Sequence, residues 1–168
     1  MKQRVVALTL ALAVVALAAH ADTLTGHVVG VTDGDTITLL DASKTQHKIR
    51  VAGIDAPEKK QPYGQRSKEA LSDLAFDKEL VIEWTKKDRY GRVIGKLIDK
   101  RGRDINLEQV RHGMAWHYKK YEGEQSPEDR KLYAAAEDAA RAKRVGLWAD
   151  AAPVPPWDYR KAKRGGGH

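Results

Sequence analysis

The sequence predicts a mainly β domain with flanking helices, an α+β fold in which a five-stranded barrel is packed by three α-helices. Short β-branched segments alternate with turn residues in the first half of the chain. Apolar residues recur at helical spacing in three later segments, and the connections between segments are short. The length of 168 residues suits one domain with its own core.

The first residues have the pattern of a signal peptide. Lys2 and Arg4 precede an apolar run (5–19), and a small-residue cleavage site ends at Ala21. The run is short for a membrane span, although an uncleaved anchor is the alternative. Residues 1–21 are therefore predicted to be removed on export to the periplasm or the medium, leaving a monomer without stable membrane association.

Five segments are predicted as strands because they are rich in β-branched residues and are bounded by turn residues. The first three are joined by short turns at 33–35 and 41–44 and are expected to form an antiparallel meander. The predicted strands are 24–32, 36–40, 46–54, 80–85 and 93–98.

Three segments are predicted as helices. Apolar residues at helical spacing mark 65–75, and a short helix over 105–112 is stopped by Gly113. The last helix begins after Ser126 as N-cap and ends before Gly146. Five strands with three helices favour a barrel of the OB type, an architecture that presents a nucleic-acid-binding face.

The end of the chain differs from the predicted domain, which spans residues 22–150. Residues 151–168 begin with prolines and end in a basic, Gly-rich stretch. We predict an extended strap anchored by Trp157 or Tyr159, followed by a disordered tail.

The composition favours a polyanionic partner. Thirty Lys and Arg residues stand against 23 Asp and Glu, a formal charge of +7. Cleavage of the signal peptide would leave 28 basic residues and a charge of +5. The absence of cysteine excludes disulfide scaffolds, thiol nucleophiles and Cys-ligated zinc.

Two acidic groups lie on loops at the ends of neighbouring strands. Asp33 and Asp35 form one group, and Asp55 and Glu58 form the other. Each group alone is compatible with an ordinary turn, but carboxylates that converge repel unless a cation or a proton lies between them. Oxygen ligands suit a hard cation, Ca²⁺ or Mg²⁺.

Two arginines complete a candidate site. Arg50 precedes Asp55 by five residues, so on one continuous strand the two would point to opposite sides unless a bulge intervenes. Arg92 closes the polar loop 86–92, and either arginine alone could be a surface cation. Carboxylates, a hard metal and arginines suited to phosphate together indicate phosphodiester hydrolysis.

Three blocks resemble the signature blocks of staphylococcal nuclease (thermonuclease) homologues. They are Asp33-Gly34-Asp35-Thr36, the stretch from Ile49-Arg50 to Ile54-Asp55-Ala56-Pro57-Glu58, and Asp88-Arg89-Tyr90-Gly91-Arg92. Each block alone is weak, but three in the same order and with similar spacing are specific. The resemblance covers residues 24–148.

The resemblance implies an OB-fold barrel and Ca²⁺-dependent cleavage of DNA and RNA to 3′-phosphate products. It implies that Asp35 and Asp55 are the calcium ligands, helped by the backbone carbonyl of Ala56. In the same family pattern, Glu58 acts on the attacking water.

The resemblance also implies the residues that bind phosphate. Arg50 and Arg92 would be the catalytic arginines on the reacting phosphate, and Arg89 and Tyr90 would contact a terminal phosphate. All four lie in the matching blocks.

The chain departs from the family pattern in places. Ala56 stands where the family's best-studied member has Thr, and the loop 59–63 is shorter. The base-stacking tyrosines of the family do not align clearly with Trp116, Tyr118 and Tyr121. We expect at least one of these three rings to stack on a base, and packing in the core or at its rim is the alternative.

Two other functions are compatible with part of the sequence. A catalytically silent, nucleic-acid-binding OB module would explain the charge and the aromatic residues, but not the combined acids and arginines. The second alternative is an exported structural or interaction protein that docks a partner through its strap. Against it, the sequence shows no signature of a large apolar surface.

Overall fold

The computed structural model describes residues 22–165. The signal peptide predicted for residues 1–21 and the last three residues of the predicted tail lie outside the described residues. In chain order the strands and helices are β1 (Asp22–Asp33), β2 (Thr36–Asp41), β3 (Gln46–Val51), β4 (Ile54–Asp55), α1 (Gly64–Ala75), β5 (Glu79–Lys87), β6 (Val93–Asp99), α2 (Ile105–Arg111), β7 (Trp116–His117), α3 (Pro127–Ala142) and α4 (Pro156–Gly165). Short 3₁₀ helices occupy Lys119–Glu124 and Gly146–Ala149.

The predicted five-stranded barrel is confirmed. Its strands follow the closed order β1-β2-β3-β6-β5. The first three strands form the expected antiparallel meander, and β3 pairs with β6 in parallel. The long β1 closes the barrel because its first half also pairs with β5, from Asp22 opposite Trp84 to His27 opposite Glu79.

The barrel interior is an aliphatic core. Alternate residues of the strands point inward, as the burial of every second residue of β6 shows. Burying each large aliphatic side chain contributes about 1.5–3 kcal/mol, so these residues provide most of the driving force for the barrel. Those with no exposed surface are Val28, Ile37, Leu39, Ile49, Leu80, Ile82 and Leu97.

The third strand is shorter than predicted. The sequence predicts one strand over 46–54, but β3 ends at Val51, and β4 pairs with β7 outside the barrel. Gly53, at φ +71°, forms the intervening turn. A Cβ atom at Gly53 would lie 2.4 Å from the Gln125 side-chain amide nitrogen, so glycine suits this turn both for its backbone conformation and for lack of space.

The three predicted helices are confirmed as α1, α2 and α3. The Ser126 hydroxyl accepts a hydrogen bond from the Asp129 backbone N–H at 3.0 Å, which is the predicted N-cap of α3. The Asp104 carboxylate caps α2 by accepting from the Leu107 N–H at 3.0 Å.

The prediction of an extended and then disordered C-terminal segment is wrong for Pro156–Gly165, which forms α4. Proline is favourable at the first position of a helix, and here Pro156 is also buried. Trp157 packs 5.5 Å from Trp116 between ring centroids, and the Tyr159 hydroxyl donates to the Lys60 carbonyl at 3.0 Å. Both predicted anchors therefore hold a helix, because tertiary contacts stabilise it.

None of the helices within residues 22–165 has the length and apolar character needed to cross a membrane.

Candidate active site

The turn between β1 and β2 carries Asp35. A Cβ atom on the preceding Gly34 would lie 1.9 Å from the Ser67 hydroxyl oxygen, so the turn packs directly against α1. The fully buried Gln109 of α2 donates to the carbonyls of Gly34 at 3.0 Å and Ser67 at 3.1 Å. Two helices thus fix the position of this turn on the barrel.

Asp55 ends β4, and its side chain is 1% exposed. The preceding turn is held by the buried Asn106, which donates to the carbonyls of Ala52 at 3.0 Å and Gly95 at 3.2 Å. The backbone N–H of Ala56 donates to the Asp35 carboxylate at 2.7 Å. The two acidic groups predicted on neighbouring loops therefore meet at one end of the barrel.

Arg50 joins these two carboxylates. Its Nη2 lies 3.1 Å from both Asp35 Oδ2 and Asp55 Oδ1. Its Nη1 donates to the carbonyls of Val51 at 2.8 Å and Ile54 at 3.0 Å. The turn at Gly53 breaks the strand between Arg50 and Asp55, so the odd spacing no longer separates their side chains.

Glu58 is connected to the buried pair by a residue that the sequence analysis missed. Arg160 of α4 donates through Nη2 to Asp55 Oδ2 at 2.6 Å and through Nη1 to Glu58 Oε1 at 2.8 Å. The signal for it was a basic run directly after the aromatic anchors of the C-terminal segment, which we interpreted as a disordered tail. The structure thus brings all three predicted acids together, linked by two guanidinium groups.

The environment of the acids disfavours negative charge. Burial raises the pKa of the Asp55 carboxyl, the neighbouring Asp35 adds to the shift, and the guanidinium groups of Arg160 and Arg50 oppose it. Burial and the charge of Asp35 raise the pKa of Asp33 to about 6. A cation bound among these groups would favour the ionised carboxylates and so lower the pKa values of Asp33 and Asp55.

The donor set fits a hard cation. Asp35 and Asp55 present carboxylate oxygens next to the Ala56 backbone, and neither a thiolate nor a histidine contacts them among the described residues. No three acidic or histidine side chains in residues 22–165 are arranged to enclose an ion alone. Such a site would therefore combine two carboxylates with carbonyl and water oxygens, which suits a hard cation such as Ca²⁺ or Mg²⁺.

Arg92 lies near this cluster without joining it. Its Nε donates to Asp88 Oδ2 at 2.8 Å, and Asp88 is its ion-pair partner among the described residues. Arg50 pairs with Ile94 in the parallel β3–β6 ladder, and Arg92 lies two residues before Ile94, directly before the start of β6. The structure thus places Arg92 at the edge of the site.

The loop before Arg92 is ordered by Asp88. This carboxylate accepts from the backbone N–H of Tyr90 at 2.9 Å and of Arg92 at 3.0 Å. Burial alone would raise the pKa of Asp88, but these bonds and the Arg92 side chain outweigh it and lower the pKa. Tyr90 is 68% exposed and Arg89 donates to its hydroxyl, so both project from the protein surface.

The three candidate stacking rings differ in exposure. Trp116 is only 7% exposed and packs against Trp148, with ring centroids 4.3 Å apart, so this ring follows the alternative of packing in the core or at its rim. Tyr118 already stacks on Trp157, at 5.3 Å and 19° between the planes. Tyr121 is 46% exposed and is the most accessible of the three.

Comparison with known proteins identifies the family of the chain. Residues 48–150 match the family described as staphylococcal nuclease homologue. The matched stretch contains Arg50, Asp55, Glu58 and Arg92, whereas Arg160 lies beyond it.

Several similar proteins carry names of nucleases. A Haemophilus influenzae protein named uncharacterized endonuclease is 41% identical over 83% of this chain and 75% of its own length. An Escherichia coli protein of the same name is 40% identical over 82% of this chain and 86% of its own length. A micrococcal nuclease of Shigella flexneri is 37% identical over 90% of this chain and 88% of its own length. With the family match over more than half of its length, the chain belongs to the staphylococcal nuclease homologue family.

Proposed function

We propose that the protein is an exported, calcium-dependent endonuclease that hydrolyses phosphodiester bonds of DNA and RNA and leaves 3′-phosphate products. Family membership and the names of its relatives support a nuclease. The observation that carries the proposal is the convergence of Asp35, Asp55 and Glu58, with Arg50 between the first two.

The residues divide the chemistry between them. Asp35 and Asp55, with the Ala56 carbonyl, would hold the calcium ion, which polarises the phosphate when bound. Glu58 is 41% exposed at its side chain, so water reaches it, and it is placed to accept the proton of an attacking water molecule.

The arginines would stabilise the charge that grows on the phosphate. As the water oxygen bonds to phosphorus, the bond to the 5′ oxygen breaks, and that oxygen takes up a proton from solvent water, while Glu58 keeps the proton of the attacking water. Arg50 from β3 and Arg92 from the neighbouring loop provide guanidinium groups suited to the phosphoryl oxygens. Arg89 and Tyr90 would contact a terminal phosphate, and their exposure at the protein surface supports this role.

A basic groove beside α4, the helix that carries Arg160, supports a nucleic-acid substrate. It has a volume of about 560 Å³ and lies between the segment after β7 and α4. Cations and aromatic rings together suit a single strand, since the cations attract phosphates and the rings stack on bases. Its lining includes Lys119, Lys120, Lys161, Arg164, Tyr118 and Trp157.

Export is supported by the sequence of residues 1–21, and the absence of cysteine means that folding outside the cell requires no disulfide. The mature chain would be a monomer without stable membrane association. Cell fractionation of the full-length chain should find it in the periplasm or the medium, with residues 1–21 removed. Retention of the uncleaved chain in the membrane fraction would contradict export as a soluble enzyme.

The proposal is tested by degradation of single-stranded DNA and RNA with added Ca²⁺ and with excess chelator. We expect cleavage to stop on chelation, and the Glu58→Gln variant, purified in parallel, controls for contaminating nucleases. Undiminished cleavage in excess chelator would contradict the metal mechanism.

A catalytically silent nucleic-acid-binding module is the second candidate. The observation that favours it is that guanidinium groups already occupy both oxygens of Asp55. This candidate predicts DNA binding with a steep salt dependence and no cleavage at any Ca²⁺ concentration.

A further inference from the structure

Arg160 makes a two-pronged contact with the acids of the site. Its two terminal nitrogens lie 2.6 Å from Asp55 Oδ2 and 3.2 Å from Asp55 Oδ1, and the second also lies 2.8 Å from Glu58 Oε1. This geometry is that of strong bidentate arginine–carboxylate pairs. Arg160 therefore binds an acid proposed as a metal ligand and the acid proposed to activate water.

This contact excludes a metal ion from the same oxygens. Asp55 Oδ2 accepts from Arg160, and Oδ1 accepts from Arg160 and from Arg50 Nη2 at 3.1 Å. Calcium binds carboxylate oxygens at about 2.3–2.6 Å, which would place a double positive charge against the guanidinium. Arg160 and a divalent cation therefore compete for Asp55.

Arg160 can leave while α4 stays bound. The helix is held elsewhere, because Trp157 packs on Trp116 and stacks on Tyr118, and the Tyr159 hydroxyl donates to the Lys60 carbonyl. The Arg160 side chain is 35% exposed, and its long stem gives the guanidinium room to rotate towards solvent.

We propose that Arg160 is a built-in substitute cation, which holds Asp55 and Glu58 in the metal-free protein and must leave them when the metal binds. The inference rests on the proposed function only in taking Asp55 as a metal ligand. It makes α4 part of the site. The more strongly Arg160 binds Asp55 and Glu58, the higher the metal concentration that the protein requires. Without Arg160, less positive charge would balance the carboxylates of Asp55 and Glu58 in the metal-free site.

The test is calorimetric titration of Ca²⁺ into the mature full-length chain and into Arg160→Gln, with Lys163→Gln as the control. Lys163 is an exposed cation on the same helix, so its variant loses the same charge without losing the contact. If the metal-free protein keeps the contact about nine-tenths of the time, Arg160→Gln should bind Ca²⁺ about tenfold more tightly, and Lys163→Gln within about twofold of the wild type.

Thermal unfolding gives a second readout. In chelator, Arg160→Gln should unfold at a lower temperature than the wild type, and addition of Ca²⁺ should raise its unfolding temperature by more. Arg160→Lys keeps the charge but loses the forked geometry, so its Ca²⁺ affinity should lie between those of the wild type and Arg160→Gln. This variant tests the inference if Arg160→Gln does not fold.

Two results would overturn the inference. Equal or weaker Ca²⁺ binding by Arg160→Gln and Arg160→Lys would show that Arg160 does not compete with the metal, while leaving the proposed nuclease intact. An absence of Ca²⁺ binding in every variant, including the wild type, would remove both the inference and the calcium-dependent function.

Discussion

Two arginines reach Asp55 from opposite parts of the molecule, and they are held in different ways. Arg50, from the barrel, has a side chain that is 17% exposed and also donates to the carbonyls of Val51 and Ile54. Arg160, from α4, is 35% exposed and directs its hydrogen bonds to the carboxylates of Asp55 and Glu58. The Arg50 side chain is therefore fixed by hydrogen bonds to the barrel backbone, whereas the Arg160 side chain can leave the acids without breaking a hydrogen bond to a backbone carbonyl.

The surroundings of the two arginines differ in the same way. The barrel side relies on buried polar side chains such as Asn106 and Gln109, whose hydrogen bonds to backbone groups are costly to lose. The helix side relies on the partly buried Trp157 and on ion pairs in contact with water. The barrel therefore fixes the positions of Asp35 and Asp55, while α4 contacts Asp55 and Glu58 through a side chain that can be released.

The largest expected effect is a loss of turnover on substitution of Glu58, the acid that Arg160 of α4 contacts. Glu58→Gln should lower turnover on single-stranded DNA by about 10²–10⁴-fold, because the amide cannot accept the proton of the attacking water. Its unfolding curve should stay close to that of the wild type. Glu69→Gln, on the exposed face of α1, is the control, and equal rates in the two variants would mean that Glu58 is not the base.

The barrel side is tested most directly by Asn106→Ala. The fully buried Asn106 accepts from the Leu97 N–H and donates to the Ala52 and Gly95 carbonyls. Leaving these groups unpaired should lower the free energy of unfolding by about 3 kcal/mol. Urea unfolding measures this change, with the exposed Gln65→Ala as control; a loss below about 1 kcal/mol would mean that these bonds do not hold the turn.

The helix side should respond locally to Trp157→Ala. Removing the ring that stacks on Tyr118 should weaken α4 docking by about 1–2 kcal/mol and leave the barrel folded. Amide hydrogen exchange should speed up in Pro156–Gly165 while protection in β1–β6 persists. Tyr159→Phe removes only the hydroxyl bond to Lys60 and should have a smaller effect, and uniform loss of protection would show that α4 is part of the barrel's cooperative unit.

The smallest effect is expected for an ion pair on the protein surface, between Lys86 and Glu124. Lys86 and Glu124 pair with side chains 47% and 42% exposed, so Lys86→Ala should cost about 0.5 kcal/mol or less, and this cost should fall with added salt. Salt-dependent unfolding measures it. A larger, salt-independent loss would mean that exposed pairs are stronger here than assumed, and that the contact of Arg160 is harder to release than its exposure suggests.

Much of the fold could be predicted because its signals are local. The strand order up to β3 follows from short turns between β-branched segments, and the cap at Ser126 and the stop at Gly113 mark helix ends. The end of β3 was missed because a single glycine inside an apolar segment does not reveal a left-handed turn. The sequence left the choice between base stacking and packing open for Trp116, because its burial depends on Trp148 and on α4.

The barrel, the helices α1–α3 and the acids and arginines proposed for catalysis could be predicted from the sequence alone, because residue types and their spacing along the chain carry those signals. The meeting of Arg50 and Arg160 on Asp55 depends on tertiary structure, because Arg160 is 105 residues from Asp55 along the chain. The C-terminal segment 151–165, with its prolines and basic residues, is not expected to form a stable helix by itself. It becomes a helix here because Trp157 and Tyr159 find partners on the folded barrel domain, and those partners exist only after folding.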